Sequence, residues 1–391
     1  MPKLSDKVGT FSESMIRQMT ILSNKYNAIN LAQGFPEFDP PKELIAALEK
    51  AAKEGPHQYA PSWGAENLRQ AIAKKQSLNL EININPNTEV LVTCGSTEAM
   101  ISVILTVCNP GDKVIIFSPY YTSYVADSIL ANVHAIYVDL KPPKFNFDER
   151  ELEDAFKQKP KAIILCNPSN PSGKVFTKDE LLTIGKLAEK YDTFVITDEV
   201  YEHIVYEPFK QVYFASLPGM FERTISCSSL SKTYSITGWR LGYVIASEKV
   251  IENVRKIHDF LTVSAASPLQ EAAIAGLKFS EEYYEELRKT YTEKKNFFLN
   301  GLDEIGLKHT EPQGTYFVLV DISEFKYESD IKFCEFLVKE YGIAAVPGSS
   351  FFNEDVNNWI RLHFAKNKET LKEVLKRLAR LKNNYGREKV I

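Results

Sequence analysis

Between about residues 90 and 250, short apolar segments alternate with longer amphipathic ones, and this alternation constrains the fold more than any other feature. The apolar segments occupy residues 90–93, 114–117, 162–166, 194–197, 224–227 and 243–246. Such continuous apolarity is typical of strands buried on both faces. Intervening segments such as 98–107 and 179–189 fit helices. The alternation predicts an α/β fold with a parallel sheet, whose ligands lie outside the carboxyl ends of the strands.

The C-terminal part of the sequence has a different pattern. Residues 281–305, 331–340 and 368–381 fit helices, while 315–321 and 359–364 fit strands. Together they predict a smaller α+β domain. Residues 1–44 are too few for a domain of their own and are expected to dock on it. We therefore expect a large domain at 45–290 and a small domain formed by 1–44 and 291–391.

Composition narrows the classes of function. The chain has 391 residues and a formal net charge of −4, which gives no reason to expect nucleic acid or an anionic membrane as a partner. There is no apolar run of spanning length and no apolar core near the N-terminus, so we expect a cytoplasmic protein. Its five cysteines form no CxxC pair, and its six histidines show no metal-binding spacing. Reduced thiols and no metal are expected.

Polar residues collect where the predicted strands end. Asp198 and Tyr201 follow one apolar segment, and Lys232 follows the next. Taken singly, the acid could be a helix cap and the lysine a solvated surface residue. Ser96 and Thr97 stand in a small-residue turn before a helix, which suits either an ordinary capping box or a phosphate. Together with a nearby arginine, these groups suit pyridoxal phosphate, held by the lysine as a Schiff base.

Five motifs in order resemble class I/II aminotransferases, the fold-type I group of pyridoxal-phosphate enzymes. They are Leu31-Ala-Gln-Gly34-Phe-Pro-Glu-Phe38, Asn167-Pro-Ser-Asn170-Pro171-Ser-Gly173, Asp198-Glu-Val-Tyr201, Ser229-Leu-Ser231-Lys232 with Gly238-Trp-Arg240-Leu-Gly242, and Gly314-Thr-Tyr-Phe317. The finer likeness is to the kynurenine, glutamine–phenylpyruvate and methionine aminotransferases. The resemblance implies a large domain with a mostly parallel sheet flanked by helices, plus a smaller α+β domain.

The resemblance also implies roles at the cofactor ring. Lys232 would carry the cofactor and move the proton of the substrate Cα. Asp198 would pair with the pyridine nitrogen, and Tyr201 and Asn170 would hydrogen-bond the ring oxygen. Tyr121 would stack on the ring. The family also tends to have cis peptide bonds at the positions of 118–119 and 170–171.

The remaining implied contacts concern the phosphate and the substrate. The phosphate would be held by Ser96, Thr97, Ser229 and Arg240, and by Tyr59 from the partner subunit, which makes a homodimer with shared active sites the expected assembly. In the small domain and the N-terminal segment that covers the site, Arg361 would bind the substrate α-carboxylate, Gly34 would let the backbone approach it closely, and Ile16 would form an apolar wall.

Specificity is less constrained. Val263 and Ser264 stand where kynurenine-type enzymes tend to have an aromatic residue and a histidine. Arg17 is a candidate receptor for a second substrate carboxylate, or a solvated helix residue. We expect transamination between a neutral or aromatic L-amino acid, such as methionine, glutamine, phenylalanine, tyrosine or a kynurenine-like compound, and a 2-oxo acid.

The sequence leaves two other enzyme functions open, and it disfavours a third, non-enzymatic function. An aspartate-type aminotransferase or a carbon–sulfur β-lyase could use the same cofactor site. The fold also serves as an effector-binding module in transcription regulators, but those carry a DNA-binding domain, for which the residues before about 30 offer no room.

Overall fold

The computed structural model describes residues 2–10 and 13–388. Helices and strands account for most of this part of the chain. The α-helices are α1 (Met15–Lys25), α2 (Lys42–Glu54), α3 (Glu66–Leu80), α4 (Ser96–Val107), α5 (Ser123–Ala131), α6 (Glu149–Lys157), α7 (Lys178–Lys190), α8 (Glu248–Thr262), α9 (Ser267–Leu277), α10 (Glu281–Ile305), α11 (Asp330–Tyr341) and α12 (Lys368–Glu388). The strands are β1 (Ile29–Asn30), β2 (Val90–Thr93), β3 (Lys113–Ser118), β4 (His134–Asp139), β5 (Ala162–Cys166), β6 (Phe194–Asp198), β7 (Thr224–Ser229), β8 (Gly242–Ile245), β9 (Phe317–Asp321), β10 (Ile343–Ala344), β11 (Val346–Pro347) and β12 (Trp359–His363).

A seven-stranded sheet forms the centre of the described chain, in the order β2-β8-β7-β6-β5-β3-β4. Its strands are parallel except β8, which runs antiparallel to both β2 and β7. The connection from β7 to β8, residues 230–241, contains only a 3-10 helix (Thr237–Trp239) and no crossover α-helix, so β8 returns in the opposite direction. The predicted mostly parallel sheet is confirmed, with this one strand reversed.

Apolar side chains on both faces of this sheet explain why the strands could be recognised from sequence. β2, β7 and β8 are buried along their whole length. Helix α4, whose buried face includes Met100 and Val103, packs on one of these faces against β6, β7 and β8. Strand β4 was not among the predicted segments, because it lies at the edge of the sheet and most of its residues are only partly buried.

A second, smaller group of strands follows in the sequence. β11, β12 and β9 form an antiparallel sheet, and the N-terminal strand β1 pairs in parallel with β10. Helices α10 and α12 pack against each other. This grouping supports the boundaries that we propose for the two domains, 45–290 for the large one and 1–44 with 291–391 for the small one. None of the described helices combines the length and the apolarity that crossing a bilayer would require.

Candidate active site

The candidate site lies at one edge of the seven-stranded sheet, the edge that is formed by strand ends and not by the outer strands β2 and β4. Because β2, β3, β5, β6 and β7 are mutually parallel, their carboxyl ends share this edge. Reversed β8 begins at the same edge, which places Arg240, just before β8, beside residues that follow the other strands. The direction of one strand therefore brings Arg240 to the edge where Asp198, Ser229 and Lys232 also lie.

Asp198 is the last residue of β6, at the middle of the sheet, and is buried. The Tyr124 hydroxyl donates to its Oδ2 at 2.6 Å, and the Val200 N–H donates to its Oδ1 at 3.3 Å. Burial raises the pKa of Asp198, whereas these two donors and Lys232 lower it. A buried carboxylate with so few donors is suited to a cationic partner.

Lys232 is half-buried and donates from Nζ to the Gly34 carbonyl at 2.9 Å. Burial lowers the pKa of Lys232 to about 8, with the positive charges of Arg240 and Arg361 adding to the effect and Asp198 opposing it. A lysine whose amine is easily deprotonated near neutral pH is a suitable nucleophile and base.

The loop before α4 and the loop before β8 meet at a place, called the phosphate crevice below, whose backbone N–H groups, hydroxyls and arginine suit a phosphate group. Gly95, immediately before α4, has φ 82° and ψ 169°, and a Cβ there would lie 2.5 Å from Nη2 of Arg240. A Cβ on Gly242 would lie 2.6 Å from the Ser96 nitrogen. The two glycines therefore let these loops lie in close contact beside the first N–H groups of α4, where Ser96 and Thr97 also stand.

The serines after β7 complete the crevice. The Ser229 hydroxyl donates to the Leu241 carbonyl at 3.0 Å, and its oxygen accepts the Ser231 N–H at 3.1 Å. The buried hydroxyl of Ser231 has no hydrogen-bond partner in the described chain. An orphaned buried hydroxyl is rare and suits a ligand oxygen. Ser231 was not among the predicted site residues, although its motif was.

Gly95→Ala is expected to weaken binding of pyridoxamine 5′-phosphate by about tenfold or more, because the backbone strain of about 1–3 kcal/mol is joined by displacement of Arg240. The affinity is measured by titration of the apoprotein. Gly111→Ala is the matched control, since Gly111 also has a positive φ, 90°, but its Cβ would meet nothing within 4 Å. Equal losses in both variants would show that only general destabilisation is measured.

Arg361 lies on β12, the middle strand of the small sheet, and is 1% exposed. Its Nη1 donates to the Asn170 side-chain oxygen at 2.9 Å and its Nη2 to the Ala32 carbonyl at 2.7 Å, while Nε has no partner among the described residues. The guanidinium carbon also lies 4.1 Å from the Phe317 ring centroid. Burial lowers the pKa of Arg361 to about 10.

The partners of Arg361 are neutral, and no carboxylate of the described residues forms a salt bridge with it. A buried cation without an anion is costly, and an arriving carboxylate would compensate it. A Cβ on Gly34 would lie 2.5 Å from Cζ of Phe317, so only glycine fits this close approach of the backbone.

Aromatic residues lie around these groups. Burial raises the pKa of Tyr201 well above its usual value, and Tyr316, whose ring centroid is 5.3 Å away, adds to the shift. The Tyr316 hydroxyl donates to the Gly34 carbonyl at 3.0 Å, the same oxygen that accepts from Lys232. Tyr121 is half-buried and meets Tyr124 edge to face. The peptide bonds 118–119 and 170–171 are both cis, as expected.

The remaining two predicted site residues are Tyr59 and Ile16. Tyr59 is 85% exposed, beside a surface hollow that Glu66, Gln70 and Glu271 help to line. Ile16 is half-buried on α1 and packs against the core, whereas its neighbour Arg17 is exposed. No group of three metal-ligating side chains occurs within 2–10 and 13–388.

Two tyrosines were missed by sequence reasoning. Tyr124 reaches Asp198 from 74 positions away, and Tyr316 reaches the Gly34 carbonyl from 282 positions away. Tyr124 stands three residues after Tyr121, and Tyr316 lies within a quoted motif, but no local pattern distinguishes either tyrosine from a core aromatic. Their roles depend on partners that only the fold brings near.

A lysine of lowered pKa, a buried carboxylate and a helix N-terminus with hydroxyls and an arginine beside it, all at the carboxyl edge of an α/β sheet, indicate an enzyme that works through a lysine-held cofactor. The chain belongs to the aminotransferase class I and II family, whose model matches residues 26–378. This family depends on pyridoxal phosphate, and the chain is an aminotransferase of fold type I.

Individual relatives agree with the family match. Methionine aminotransferase of Escherichia coli is 35% identical, with 96% of this chain and 97% of the relative covered. Kynurenine–oxoglutarate transaminase of Dictyostelium discoideum is 33% identical, with 97% of each covered. The solved N-succinyldiaminopimelate aminotransferase of Mycobacterium tuberculosis has a TM-score of 0.94 at 33% identity and covers 97% of this chain and 100% of its own. The resemblance to the kynurenine and methionine aminotransferases, predicted from the motifs, is confirmed.

Proposed function

We propose that the protein transfers the amino group of a neutral, medium-to-large L-amino acid to a 2-oxo acid, with pyridoxal phosphate held on Lys232. Methionine, glutamine, phenylalanine, tyrosine and kynurenine-like compounds are the donors that we expect. The observation that carries the proposal is Arg361, a buried guanidinium whose partners are neutral and whose Nε is unpaired. Every amino acid and 2-oxo acid offers the carboxylate that this cation lacks.

The residues present fit the cofactor. Its phosphate would enter the crevice at Gly95, near Ser96, Thr97, Ser229, Ser231 and Arg240. Tyr201 and Asn170 would bond the ring oxygen, and Tyr121 would lie against the ring. When bound, pyridoxal phosphate stabilises negative charge at the substrate Cα. Asp198 would keep a positive charge at the pyridine nitrogen, and the Lys232 amine would move the proton from the substrate Cα to C4′ of the cofactor.

A homodimer with shared sites is part of the proposal. Tyr59 is an exposed tyrosine whose backbone segment is fixed, since the Ser267 hydroxyl donates to the Gln58 carbonyl at 2.6 Å. Tyr59 is thus held at the surface, outside the site of its own subunit. This position suits a contact with the phosphate in a second subunit.

The N-terminal helix supports a preference for neutral donors. On α1, Ile16 packs inward while Arg17 is exposed. A dicarboxylic substrate needs a second cation in the pocket, and an unpaired buried carboxylate costs several kcal/mol. The outward position of Arg17 therefore favours donors with apolar or neutral side chains over aspartate.

We expect kcat/KM for methionine to exceed that for aspartate by about a hundredfold or more, because each 1.4 kcal/mol of lost binding is a factor of ten. Both values are measured with a 2-oxo acid acceptor in the parent and in Arg17→Ala, with Lys25→Ala on the same helix as the control. Arg17→Ala should leave the ratio unchanged.

Two results would contradict this proposal. Aspartate winning in the parent and collapsing only in Arg17→Ala would establish an aspartate-type enzyme. Repeated turnover of a sulfur-containing amino acid without any 2-oxo acid, with release of a thiol, would instead indicate a carbon–sulfur β-lyase.

A further inference from the structure

A buried pair, Glu98 and His258, lies next to the loop that contributes to the proposed phosphate crevice. Glu98 is in the first turn of α4 and is 9% exposed, while His258, on α8, is fully buried. The His258 Nδ1 lies 3.0 Å from Oε2 and 3.1 Å from Oε1 of Glu98. The two residues are far apart in sequence: Glu98 directly follows the turn that contains Ser96 and Thr97, and His258 lies outside the motifs that define the cofactor site.

Glu98 acts on the loop before α4. Its Oε2 accepts the N–H of Cys94 at 3.1 Å, and its Oε1 accepts the Ser102 hydroxyl. Cys94 immediately precedes Gly95, the residue of positive φ that lies against Arg240. The carboxylate is thus bonded to the loop that carries Gly95, Ser96 and Thr97.

His258 acts on a second segment. Its Nε2 lies 2.7 Å from the Ser62 carbonyl oxygen, while Nδ1 faces Glu98 and lies 3.2 Å from the Thr262 hydroxyl oxygen. Ser62 belongs to the segment that presents Tyr59, and the next carbonyl, of Trp63, accepts the Val92 N–H of β2 at 3.1 Å. The ring therefore joins the phosphate loop to the Tyr59 segment.

We propose that Glu98 and His258 are positioning residues that hold the 94–97 loop in the shape that binds the cofactor phosphate. This inference rests on the proposed function, because it assumes that the crevice receives a phosphate. The pair touches neither ring nor substrate, so its effect acts through the N–H of Cys94 and the conformation of Gly95. Buried ionic bonds of this kind are sensitive to removal of one partner.

The phosphate contribution is measured as the ratio of two affinities, for pyridoxamine 5′-phosphate and for pyridoxamine. Asparagine reproduces the Nδ1 position of histidine and glutamine the Nε2 position. His258→Asn keeps the donor to Glu98, whereas His258→Gln keeps only the donor to Ser62. We expect His258→Gln to lower the ratio by about tenfold and His258→Asn by less than about threefold, in line with the loss or retention of one charged hydrogen bond.

Glu98→Gln provides a conservative test. Its amide oxygen can still accept from Cys94 while its NH₂ group donates to a neutral His258 ring, so the affinity ratio should stay near that of the parent. Glu98→Ala keeps neither bond and should lose the preference for the phosphorylated compound. Val254→Ala, a buried change on the same helix, controls for loss of stability, which thermal unfolding measures. It should lower the unfolding temperature and leave the ratio unchanged.

The outcomes separate the two proposals. If the parent binds both compounds equally, the crevice is not a phosphate site and the proposed cofactor site fails. The positioning role is refuted, while the proposed function stands, if the parent prefers the phosphorylated compound and both His258 variants keep the parent's affinity ratio. It is also refuted if the His258 variants and Val254→Ala all lower that ratio equally.

Discussion

Lys232→Ala is expected to lower the rate of the amino-transfer half-reaction by about a thousandfold or more, because it removes both the covalent anchor and the proton-transferring amine. The variant should still bind pyridoxal phosphate through the phosphate crevice, without covalent attachment. The half-reaction is followed by the cofactor absorbance in a single turnover with methionine. Lys339→Ala, which changes an exposed lysine paired with Glu335, is the control and should behave like the parent.

The lowered pKa of Lys232 adds a pH dependence to this expectation. Only the neutral amine attacks the cofactor aldehyde, and burial lowers the pKa of this amine to about 8. In the parent, the rate of cofactor attachment should therefore rise with pH and level off above about 8, rather than continue toward the usual lysine pKa of about 10.4. Borohydride reduction should fix the label on Lys232. A label on another lysine would overturn the assignment of the site.

The central strands could be predicted because they are buried on both faces, so their apolar runs are nearly continuous. β2 and β5 match the predicted limits, and α10 matches its predicted span. Edge strand β4 lacks that signal, since His134 at its start is exposed. The reversal of β8 was also not predicted, because strand direction depends on the connection and not on the strand's own residues.

The residues of the candidate site also fall into two groups, those that the sequence predicts and those that only the fold reveals. Lys232, Asp198 and Arg361 stand in motifs with recognisable spacing, so their types and order could be read from the sequence. Tyr124 and His258 could not be recognised, because each acquires its importance from a partner distant in the chain. The roles of Lys232, Asp198, Tyr124 and His258 stay predictions that the variants described here test, and the role of Arg361 also stays a prediction.

Asp198→Asn is expected to lower the half-reaction rate by about a hundredfold or more while changing the affinity for pyridoxamine 5′-phosphate by less than about tenfold. The carboxylate stabilises a positive charge at the pyridine nitrogen through charge, and an amide supplies only a hydrogen bond. The amide oxygen can still accept the Val200 N–H, and its NH₂ group can donate to the Tyr124 hydroxyl oxygen, so the strand end should keep its conformation.

Tyr124→Phe is the matched comparison for this variant, because it removes the 2.6 Å hydrogen bond to Asp198 but keeps the carboxylate. If charge at Asp198 is what matters, Tyr124→Phe should cost far less activity than Asp198→Asn. Rate and affinity are measured separately, by single-turnover absorbance and by titration of the apoprotein. Near-parental rates in Asp198→Asn would mean that Asp198 serves only to cap the end of β6, and larger losses in Tyr124→Phe would place the essential group on the tyrosine. A large loss of rate with little loss of affinity, confined to Asp198→Asn, is the combination that only a charge-bearing partner of the ring nitrogen produces.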